Sequence, residues 1–309
     1  MKTAQTQLLH WYKKYGRHDL PWRNTDEIYH IYLSEVMLQQ TQVSRVMEEY
    51  YPKFLERFPT LASLADASLE EVLSLWSGLG YYSRAKNLHE CAKICKRALP
   101  DDFKELQKLP GIGHYTAAAI CSFGYNQCLP VVDTNIKRVL RRFFALESTN
   151  DKAIWEKAEA FLNKEHPKEH NLALMDLGSM ICTPKAPKCD LCPLQAECQG
   201  KADPESFTQT KKKEYIAMEL FFGIHIKHGK IAMTPSKNGM YKGMLVFPQV
   251  DPIEEEYLGS YKHSYTKYRL TVKLYKSDLI PEDVVWVDLE NFLEGHYPSL
   301  VKKAAKYIL

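Results

Sequence analysis

The chain has 309 residues, enough for two domains or one large domain with a full core. Its 41 Lys and Arg residues against 38 Asp and Glu residues give a net charge of only +3. Overall charge therefore does not indicate a nucleic-acid partner, and only local patches could. No apolar run reaches about 18 residues, so no membrane span is predicted. The N-terminus lacks the apolar segment of a signal peptide, and we expect a soluble cytoplasmic protein.

The periodicity of apolar residues changes near residue 200. Residues 1–198 predict consecutive helices, because apolar residues recur with a period of 3.6 in stretches such as "EEVLSLWSGL" and "NIKRVLRRFFAL". Residues 199–214 are polar and Lys-rich and predict a linker. Residues 215–309 contain strand-like runs such as "AMELFFGIHI" and "LTVKLY", then a final helix. The predicted fold is mainly α, with a helical domain followed by a small α/β domain.

The stretch "YLSEVMLQQTQV", residues 32–43, contains a single formal charge, Glu35. Between Glu27 and Arg45 this carboxylate is surrounded by apolar and uncharged polar residues. A Glu in a helix is usually an exposed residue or a capping partner. The alternative is a functional carboxylate in an apolar setting.

A tight turn is predicted in "LPGIGHYTAAAI", residues 109–120, where Gly111 and Gly113 flank Ile112. Glycines let the backbone approach an anion closely, and the following helix N-terminus offers free N–H groups to a phosphate. Many ordinary helix hairpins contain such a turn, so a structural role is equally consistent with it.

The stretch "VVDTNIKRVLRRFF", residues 131–144, predicts an amphipathic helix that begins after Asp133. The ordinary role of Asp133 is that of an N-cap. The cations of this helix lie off its apolar stripe, and no acidic residue occurs from Thr134 to Ala145. A contact with the DNA backbone is therefore predicted for Lys137, Arg138, Arg141 and Arg142.

Four of the eight cysteines fall within "CTPKAPKCDLCPLQAEC", spaced C-x6-C-x2-C-x5-C. Four thiolates in one loop can bind one soft metal centre, and an iron–sulfur cluster and a zinc ion both accept such ligands. Disulfides are uncommon in cytosolic proteins. The predicted ligands are Cys182, Cys189, Cys192 and Cys198. The other cysteines, Cys91, Cys95, Cys121 and Cys128, are predicted to be buried packing residues.

These motifs together resemble the helix-hairpin-helix DNA glycosylase superfamily. Within it, "LPWR", "LSEVMLQQTQV", "LWSGLGYYSRAKNL", "MDLGSMIC" and the cysteine spacing look like adenine DNA glycosylases of the MutY type. The match covers nearly all of residues 18–198, in one order. The resemblance implies a two-lobed helical domain with a 4Fe-4S cluster loop, and a monomer that removes adenine mispaired with 8-oxoguanine or guanine in double-stranded DNA.

The resemblance also implies roles for individual residues. Glu35 would protonate ring nitrogen seven of adenine, Asp133 would stabilise the sugar cation, and Asn135 would be the supporting amide. Tyr115 stands where endonuclease III has a Schiff-base Lys, which implies base release without efficient strand cutting. Gln40 and Tyr81 would enter the duplex near the oxidised guanine. The implied adenine pocket consists of Leu20, Trp22, Arg23 and Asp176.

The C-terminal domain resembles nudix-like domains, with "GMYKGMLVFPQ" as a degraded form of their G-x-W-x-F-P motif. No R-E-x-x-E-E motif follows, so pyrophosphate hydrolysis is not expected. Adenine glycosylases check for 8-oxoguanine with an H-x-F-S/T-H loop, to which His263, Tyr265 and Thr266 of "HSYTK" are similar. Lys267 departs from that pattern, which puts the strength of 8-oxoguanine discrimination in question. A plain surface hairpin is the alternative.

Two functional hypotheses remain for the whole chain. The first is a mismatch-specific adenine glycosylase, and the second is a non-catalytic helix-hairpin-helix DNA-binding protein with a structural cluster. A binding module needs neither Glu35 nor Asp133, so their joint presence favours the enzyme. A thymine-mismatch glycosylase, the neighbouring activity, would not require Glu35.

Overall fold

The chain divides into two units. A computed structural model describes residues 1–147, 150–208, 214–236, 240–241, 244–252, 254–278, 282–290, 292, 295 and 297–308. The first unit comprises Met1–Val72 and Ser83–Thr210, and the second comprises Leu73–Tyr82 and Lys211–Leu309. Across these described ranges, no helix combines the length and apolar character needed to cross a membrane.

The first unit is helical. Its α-helices are α1 (Lys2–Tyr15), α2 (Ile28–Met37), α3 (Val43–Arg45), α4 (Tyr51–Arg57), α5 (Leu61–Asp66), α6 (Leu69–Leu75), α7 (Ser83–Cys95), α8 (Phe103–Gln107), α9 (His114–Ala119), α10 (Thr134–Phe143), α11 (Asp151–Phe161) and α12 (Pro167–Met180). Of these, α6 crosses the boundary into the second unit. Two π-helical turns, Val46–Tyr50 and Ile120–Gly124, extend α3 and α9. The predicted mainly α fold with a small strand-containing C-terminal domain is confirmed.

Helix α2 is buried along most of its length, because every residue from Ile31 to Met37 is buried. It packs against α4, α7 and α9. A helix that is apolar on all sides belongs in the interior. The one carboxylate of this helix, on Glu35, is therefore carried into the core of the unit.

Helix α10 begins where its sequence predicts. The side chain of Asp133 caps it by accepting a hydrogen bond from the backbone N–H of Ile136 at 2.6 Å. Its stripe of Ile136, Val139, Leu140 and Phe143 is buried. One core contains this stripe together with α1, α11 and α12, including Leu8 from the N-terminal helix.

The segment after the cysteine loop is packed rather than extended. The backbone N–H of Gln199 donates to the carbonyl of Phe143 at 3.0 Å, and that of Gly200 donates to the carbonyl of Arg142 at 2.8 Å. The start of the predicted linker is thus attached to the end of α10. Residues 209–213 of that linker lie outside the described residues.

The second unit contains two small sheets. The first has the order β1-β6-β5, in which β1 (Ile216–Ile224) is parallel to β6 (Tyr268–Lys276) and β5 (Tyr257–Tyr265) is antiparallel to it. The second joins β2 (Ile226–Lys227), β3 (Lys230–Pro235), β4 (Leu245–Val246) and β7 (Val285–Asp288). The short helix α13 (Ser299–Lys302) adds Leu300 and Val301 to the core of these strands.

Candidate active site

A cavity of about 510 Å³ lies in the first unit. Helices α2, α9, α10 and α12 and the segment around Trp22 contribute its walls. A cavity of this size with a few polar groups is typical of a small-molecule or nucleobase site. It brings together nine of the predicted residues, namely Leu20, Trp22, Arg23, Glu35, Gln40, Tyr115, Asp133, Asn135 and Lys137.

Glu35 is the buried carboxylate of this cavity, with only 6 % of its surface exposed. The hydroxyl of Tyr115 donates to its Oε2 atom at 2.7 Å. The pKa of Glu35 is raised to about 7, chiefly by burial and in addition by the negative charge of Asp133, while the bond from Tyr115 opposes the rise. Glu35 can therefore retain a proton near neutral pH, as a general acid requires.

Asp133 is the second carboxylate of the cavity. Its Oδ1 atom accepts the capping bond from α10, and its Oδ2 atom accepts a bond from the side-chain amide of Asn135 at 2.9 Å. Burial raises the pKa of Asp133, while these N–H donors counteract that rise. Donors aimed at a carboxylate favour its ionised form. Both carboxyl groups are therefore desolvated, but Asp133 accepts more hydrogen bonds than Glu35 does.

Asn171, which no sequence pattern indicated, holds the segment that leads to Asp133. This buried side chain accepts a bond from the backbone N–H of Val131 at 3.1 Å and donates to the carbonyl of Leu129 at 2.9 Å. It also donates to the hydroxyl of Ser122. This buried amide therefore uses two of its three hydrogen bonds to hold the segment before Asp133. Asn171 directly follows Lys168, Glu169 and His170, so no local pattern distinguishes it from its polar neighbours.

Asp176 lies behind the cavity wall, and its side chain is completely buried. Arg23 donates to both of its oxygens, at 2.7 and 2.8 Å, and Arg17 adds bonds from its backbone and its guanidinium. Burial alone would raise the pKa of Asp176, but these two arginines hold it below its usual value. Asp176 therefore fixes Arg23, which lines the cavity. Arg17 was not predicted from the sequence.

Three residues other than glycine that are predicted to contact DNA have left-handed backbone conformations. The φ angles are 57° at Gln40, 48° at Tyr81 and 49° at Thr266. Residues other than glycine rarely adopt this conformation, and where they do the site is often functional. Gln40 is exposed at the edge of the cavity. Tyr81 belongs to the second unit.

The glycine turn has the predicted form. Gly111 has a φ of 74°, and a side chain there would collide with Asn87. Gly113 precedes α9, and a side chain on it would meet no atom within 4 Å. The backbone at Gly113 therefore faces open space, which leaves room for a phosphate group to approach.

The cations of α10 are placed differently from the prediction. Arg141 and Arg142 are buried, with 7 % and 1 % of their surfaces exposed, so the interpretation of all four as DNA-backbone contacts is wrong for these two. Arg138 donates to the carbonyls of Gly178 and Cys182, and Lys137 pairs with Asp151 of α11 at 2.8 Å. Segments distant in sequence supply these partners.

Arg142 secures the cysteine loop from within. Its guanidinium donates to the Sγ atom of Cys182 at 3.3 Å and to the carbonyls of Thr183, Pro184 and Pro204 at 2.7–3.0 Å. A buried guanidinium needs its N–H groups satisfied, and the loop provides the acceptors. The loop therefore folds back over α10 and excludes Arg142 from solvent.

All four predicted ligand cysteines line one small cavity of about 30 Å³, which Arg142 also borders. Among the described residues, no three His, Cys, Asp or Glu side chains are arranged to hold a single metal ion. Burial raises the pKa of Cys192 to about 12, so binding of a metal group here would be coupled to release of the thiol proton. The four soft donors around one cavity fit a thiolate-bound metal group.

The remaining cysteines only partly follow the prediction. Cys91 and Cys121 are buried, as expected of packing residues. Cys128 is exposed, and Cys95 is intermediate. Cys128 follows the polar residues Asn126 and Gln127, and this turn places its side chain at the surface.

Comparison with known proteins decides the family. The profile of the HhH-GPD superfamily of base excision DNA repair proteins matches residues 33–164. The adenine DNA glycosylase of Buchnera aphidicola subsp. Baizongia pistaciae is 38 % identical over 254 residues, which cover 78 % of this chain and 72 % of that protein. The human adenine DNA glycosylase is 42 % identical over 212 residues, covering 63 % of this chain and 38 % of that protein.

The chain belongs to the adenine DNA glycosylase family of the HhH-GPD superfamily. It is accordingly an enzyme of base excision DNA repair, a hydrolase of N-glycosidic bonds. The predicted family and enzyme class are confirmed, and the hypothesis of a non-catalytic binding protein is set aside.

Solved structures agree on the fold of the helical part. A thermostable thymine-DNA glycosylase has a TM-score of 0.61 and 29 % identity, covering 65 % of this chain and 96 % of that one. A non-covalent complex of endonuclease III with DNA has a TM-score of 0.57, with coverage of 65 % and 94 %. At 20 % identity, the second likeness concerns the fold alone.

In this adenine DNA glycosylase family member, the predicted C-terminal recognition loop forms the β5–β6 hairpin. Tyr265 pairs with Tyr268 across a turn formed by Thr266 and Lys267. His263 is buried beneath it, where its Nε2 atom is 2.7 Å from the hydroxyl of Tyr241. Burial lowers the pKa of His263 to about 4, so the imidazole is neutral near pH 7. His263 therefore supports the hairpin from within.

We expect base release by this glycosylase to decline as the pH rises above about 7. The pKa of Glu35 is raised to about 7, so its protonated, acid-competent fraction falls roughly tenfold per pH unit above that value. Single-turnover rates across a pH series would measure this decline. DNA binding measured over the same series is the control. A rate that stayed constant well into the alkaline range would contradict the assignment of Glu35 as the acid.

Proposed function

We propose that this enzyme hydrolyses the N-glycosidic bond of adenine mispaired with 8-oxoguanine or guanine in double-stranded DNA. The supporting observation is that a carboxyl group with a pKa near 7, on Glu35, and a carboxylate with several hydrogen-bond donors, on Asp133, line the same cavity. One group suits proton donation and the other suits stabilisation of positive charge. The relatives named above are adenine DNA glycosylases.

The reaction divides between these two carboxyl groups. Glu35 donates its proton to ring nitrogen seven of adenine, and the electron pair of the broken bond between the sugar and the base leaves with the base. The sugar becomes an oxocarbenium ion, which the negative charge of Asp133 stabilises. Water then adds to the anomeric carbon and gives a proton to the carboxylate of Glu35, which returns that residue to its acid form. Asn135 keeps the carboxylate of Asp133 in place through its 2.9 Å bond.

The product in this proposal is an intact strand with an abasic site. A Schiff base requires a primary amine, and Tyr115 presents a phenol whose hydroxyl is engaged with Glu35 at 2.7 Å. Burial and the nearby carboxylates raise the pKa of Tyr115 well above its usual value, so the phenol remains protonated. Tyr115 therefore orients Glu35 and forms no covalent bond with the sugar.

The DNA in this proposal lies across the glycine turn and the edge of the cavity. The open backbone at Gly113 receives a phosphate, and Gly111 permits the turn that positions it. Lys137, which lines the cavity and is about one-third exposed, is the α10 cation best placed to face a phosphate. Gln40 and Tyr81 enter the duplex when the adenine leaves the stack, a step that costs a few kcal/mol.

The proposed functions are assigned to successive segments of the chain. In this proposal residues 1–198 form the catalytic domain, residues 199–214 the linker and residues 215–309 a nudix-like domain that recognises 8-oxoguanine, with the enzyme acting as a monomer. The β5–β6 hairpin is the candidate contact, with Tyr265 and Thr266 at its tip. Tyr265 has its ring 4.6 Å from that of Tyr241, which supports the hairpin tip.

A 4Fe-4S cluster is the metal group proposed for the cysteine loop. Cys182, Cys189, Cys192 and Cys198 would be its ligands, and the resemblance of the motifs to iron–sulfur glycosylases favours it over zinc. When bound, the cluster would replace the thiol protons and join the ends of the loop. Arg142 and the packed start of the following segment hold the same loop from its inner side.

We expect purified protein to be yellow-brown and to contain about four irons per chain. Cys192→Ser should lower the iron content and the temperature of unfolding, because one ligand of a buried site is lost. Cys128→Ser is the matched control, since Cys128 is exposed and outside the loop. Metal analysis and thermal unfolding would measure both effects. Stoichiometric zinc in protein made under iron-replete, anaerobic conditions would overturn the cluster assignment.

The proposed function is tested with duplexes that carry adenine opposite 8-oxoguanine, guanine or thymine, and a further duplex with thymine opposite guanine. We expect strand breaks at adenine opposite 8-oxoguanine and guanine, only after alkali treatment. Borohydride trapping should remain far below that of a bifunctional control enzyme. Release of thymine instead of adenine, or strand cutting without alkali, would contradict the proposal.

A further inference from the structure

A buried guanidinium lies at the C-terminal end of α2, directly after the catalytic carboxylate. Arg84, the second residue of α7, is only 8 % exposed. Its Nη1 atom donates to the carbonyls of Val36 at 2.9 Å, Met37 at 2.8 Å and Gln39 at 2.7 Å. Its Nη2 atom lies 3.3 Å from the hydroxyl of Thr41. One side chain from a distant helix thus spans the last turn of α2 and the turn that follows.

This arrangement satisfies groups that a helix end leaves without partners. The last four carbonyls of a helix have no N–H donor within the helix, and the C-terminal end carries partial negative charge. A guanidinium supplies both donors and positive charge, and hydrogen bonds from a charged donor are stronger than neutral ones. Arg84 is therefore well suited to fix the backbone path that leaves α2.

The turn after α2 has few hydrogen bonds of its own. Helix α2 retains its internal ladder up to the bond from Leu38 N–H to the carbonyl of Ser34 at 2.9 Å. Beyond it, the backbone N–H of Thr41 donates to the carbonyl of Leu38 at 3.3 Å. Gln40, between these residues, has the left-handed φ of 57°. Loss of Arg84 should consequently disturb the turn at Gln40 more than the helical turn that carries Glu35.

We propose that Arg84 is a positioning residue for mismatch recognition, which holds Gln40 in its left-handed conformation at the edge of the cavity. The inference rests on the proposed function, in which Gln40 enters the duplex as adenine leaves it. Arg84 touches neither the base nor the sugar in this proposal. It affects mismatch recognition by holding the carbonyls of the turn, and it does not affect proton donation by Glu35.

The test is a double-mutant cycle between Arg84→Met and Gln40→Ala. Affinity would be measured for a duplex with adenine opposite 8-oxoguanine, in which a 2′-fluorine on the adenine nucleotide prevents base release, and for the fully paired duplex. Each single variant should lose about tenfold or more in preference for the mismatch. The double variant should lose no more than the single variants. Losses that multiply, or equal weakening for both duplexes, would overturn the inference.

A second measurement separates positioning from general damage. The pH at which single-turnover base release declines should match the parent, because Arg84→Met leaves the burial of Glu35 intact. A shift of that pH would contradict action through Gln40 alone. Arg97→Met is the matched control, since it removes an exposed guanidinium just beyond the same helix. It should leave both affinities unchanged, and a loss of mismatch preference equal to that of Arg84→Met would also contradict the inference.

Failure of this inference and failure of the proposed function would give different experimental results. If Arg84→Met does not fold, Arg84→Lys replaces it in the cycle. Arg84→Lys should lose less mismatch preference than Arg84→Met, and it should cause no further loss when combined with Gln40→Ala. A parent enzyme that releases no adenine would overturn the proposed function, and this inference with it. A parent that releases adenine, with Arg84 variants that retain the full mismatch preference, would overturn this inference alone.

Discussion

Glu35→Gln should reduce the rate of adenine release by about 10²–10⁴-fold, the usual value of general acid catalysis. Glutamine has the shape of glutamic acid and can still accept the hydrogen bond that Tyr115 now donates to Glu35. It has no proton to deliver to the departing base. The buried position is therefore preserved while the chemical step loses its acid. Single-turnover kinetics with saturating enzyme would isolate that step from product release.

Binding provides the complementary measurement. Affinity for the mismatch duplex should change far less than the rate, because it comes largely from phosphate contacts and from residues that enter the duplex. Glu27→Gln is the matched control, since Glu27 is the exposed residue that precedes the same helix. A folded, metal-loaded Glu35→Gln variant that released adenine at the parent rate would remove Glu35 from the mechanism.

Asp133→Asn should lower the rate of base release by about 10²–10³-fold, the effect of removing one electrostatic stabiliser from an enclosed site. Asparagine is as good an N-cap as aspartate, so α10 should still begin at the same residue. What disappears is the negative charge that stabilises the sugar cation in the proposed mechanism. Rates in single turnovers and the circular dichroism of the helices would be compared.

The same substitution has a second consequence, at Glu35. The charge of Asp133 contributes to the raised pKa of Glu35, so its removal should lower that pKa. The decline of residual activity should then begin at a lower pH than in the parent. Asp102→Asn, at the exposed N-cap of α8, is the matched control for capping alone. An unshifted profile, or a loss of rate equal to that of the control, would contradict this role for Asp133.

The sequence predicted the site residues that are marked by local patterns. Asp133 precedes an amphipathic helix and Glu35 is the one charge in an apolar stretch, so both were candidates without a structure, but their catalytic roles were implied only by the family resemblance. The hydrogen bond between Tyr115 and Glu35 was not, because it joins residues 80 positions apart. The family resemblance implied only that Tyr115 replaces the Schiff-base Lys of endonuclease III. The structure adds that the phenol donates a hydrogen bond to Glu35, the proposed acid.

The arginines of α10 show why charge patterns mislead. Helical periodicity correctly places Arg142 off the core stripe, but periodicity cannot predict which segment returns to cover that face. The cysteine loop and the residues after it bury Arg142 and satisfy its guanidinium with carbonyls. Arg17, Arg84 and Asn171 were missed for the same reason, since their partners are backbone groups or side chains far along the chain.

The first helix of the chain shares its core with residues that are synthesised much later. Ala4, Leu8 and Trp11 pack in one cluster with Leu172, Ala173 and Leu177 of α12. Contacts of such sequence separation are costly in chain entropy and slow to form. During synthesis α1 cannot reach its final place before α12 has left the ribosome. The helical unit is therefore expected to complete its folding late, after most of the intervening helices already exist.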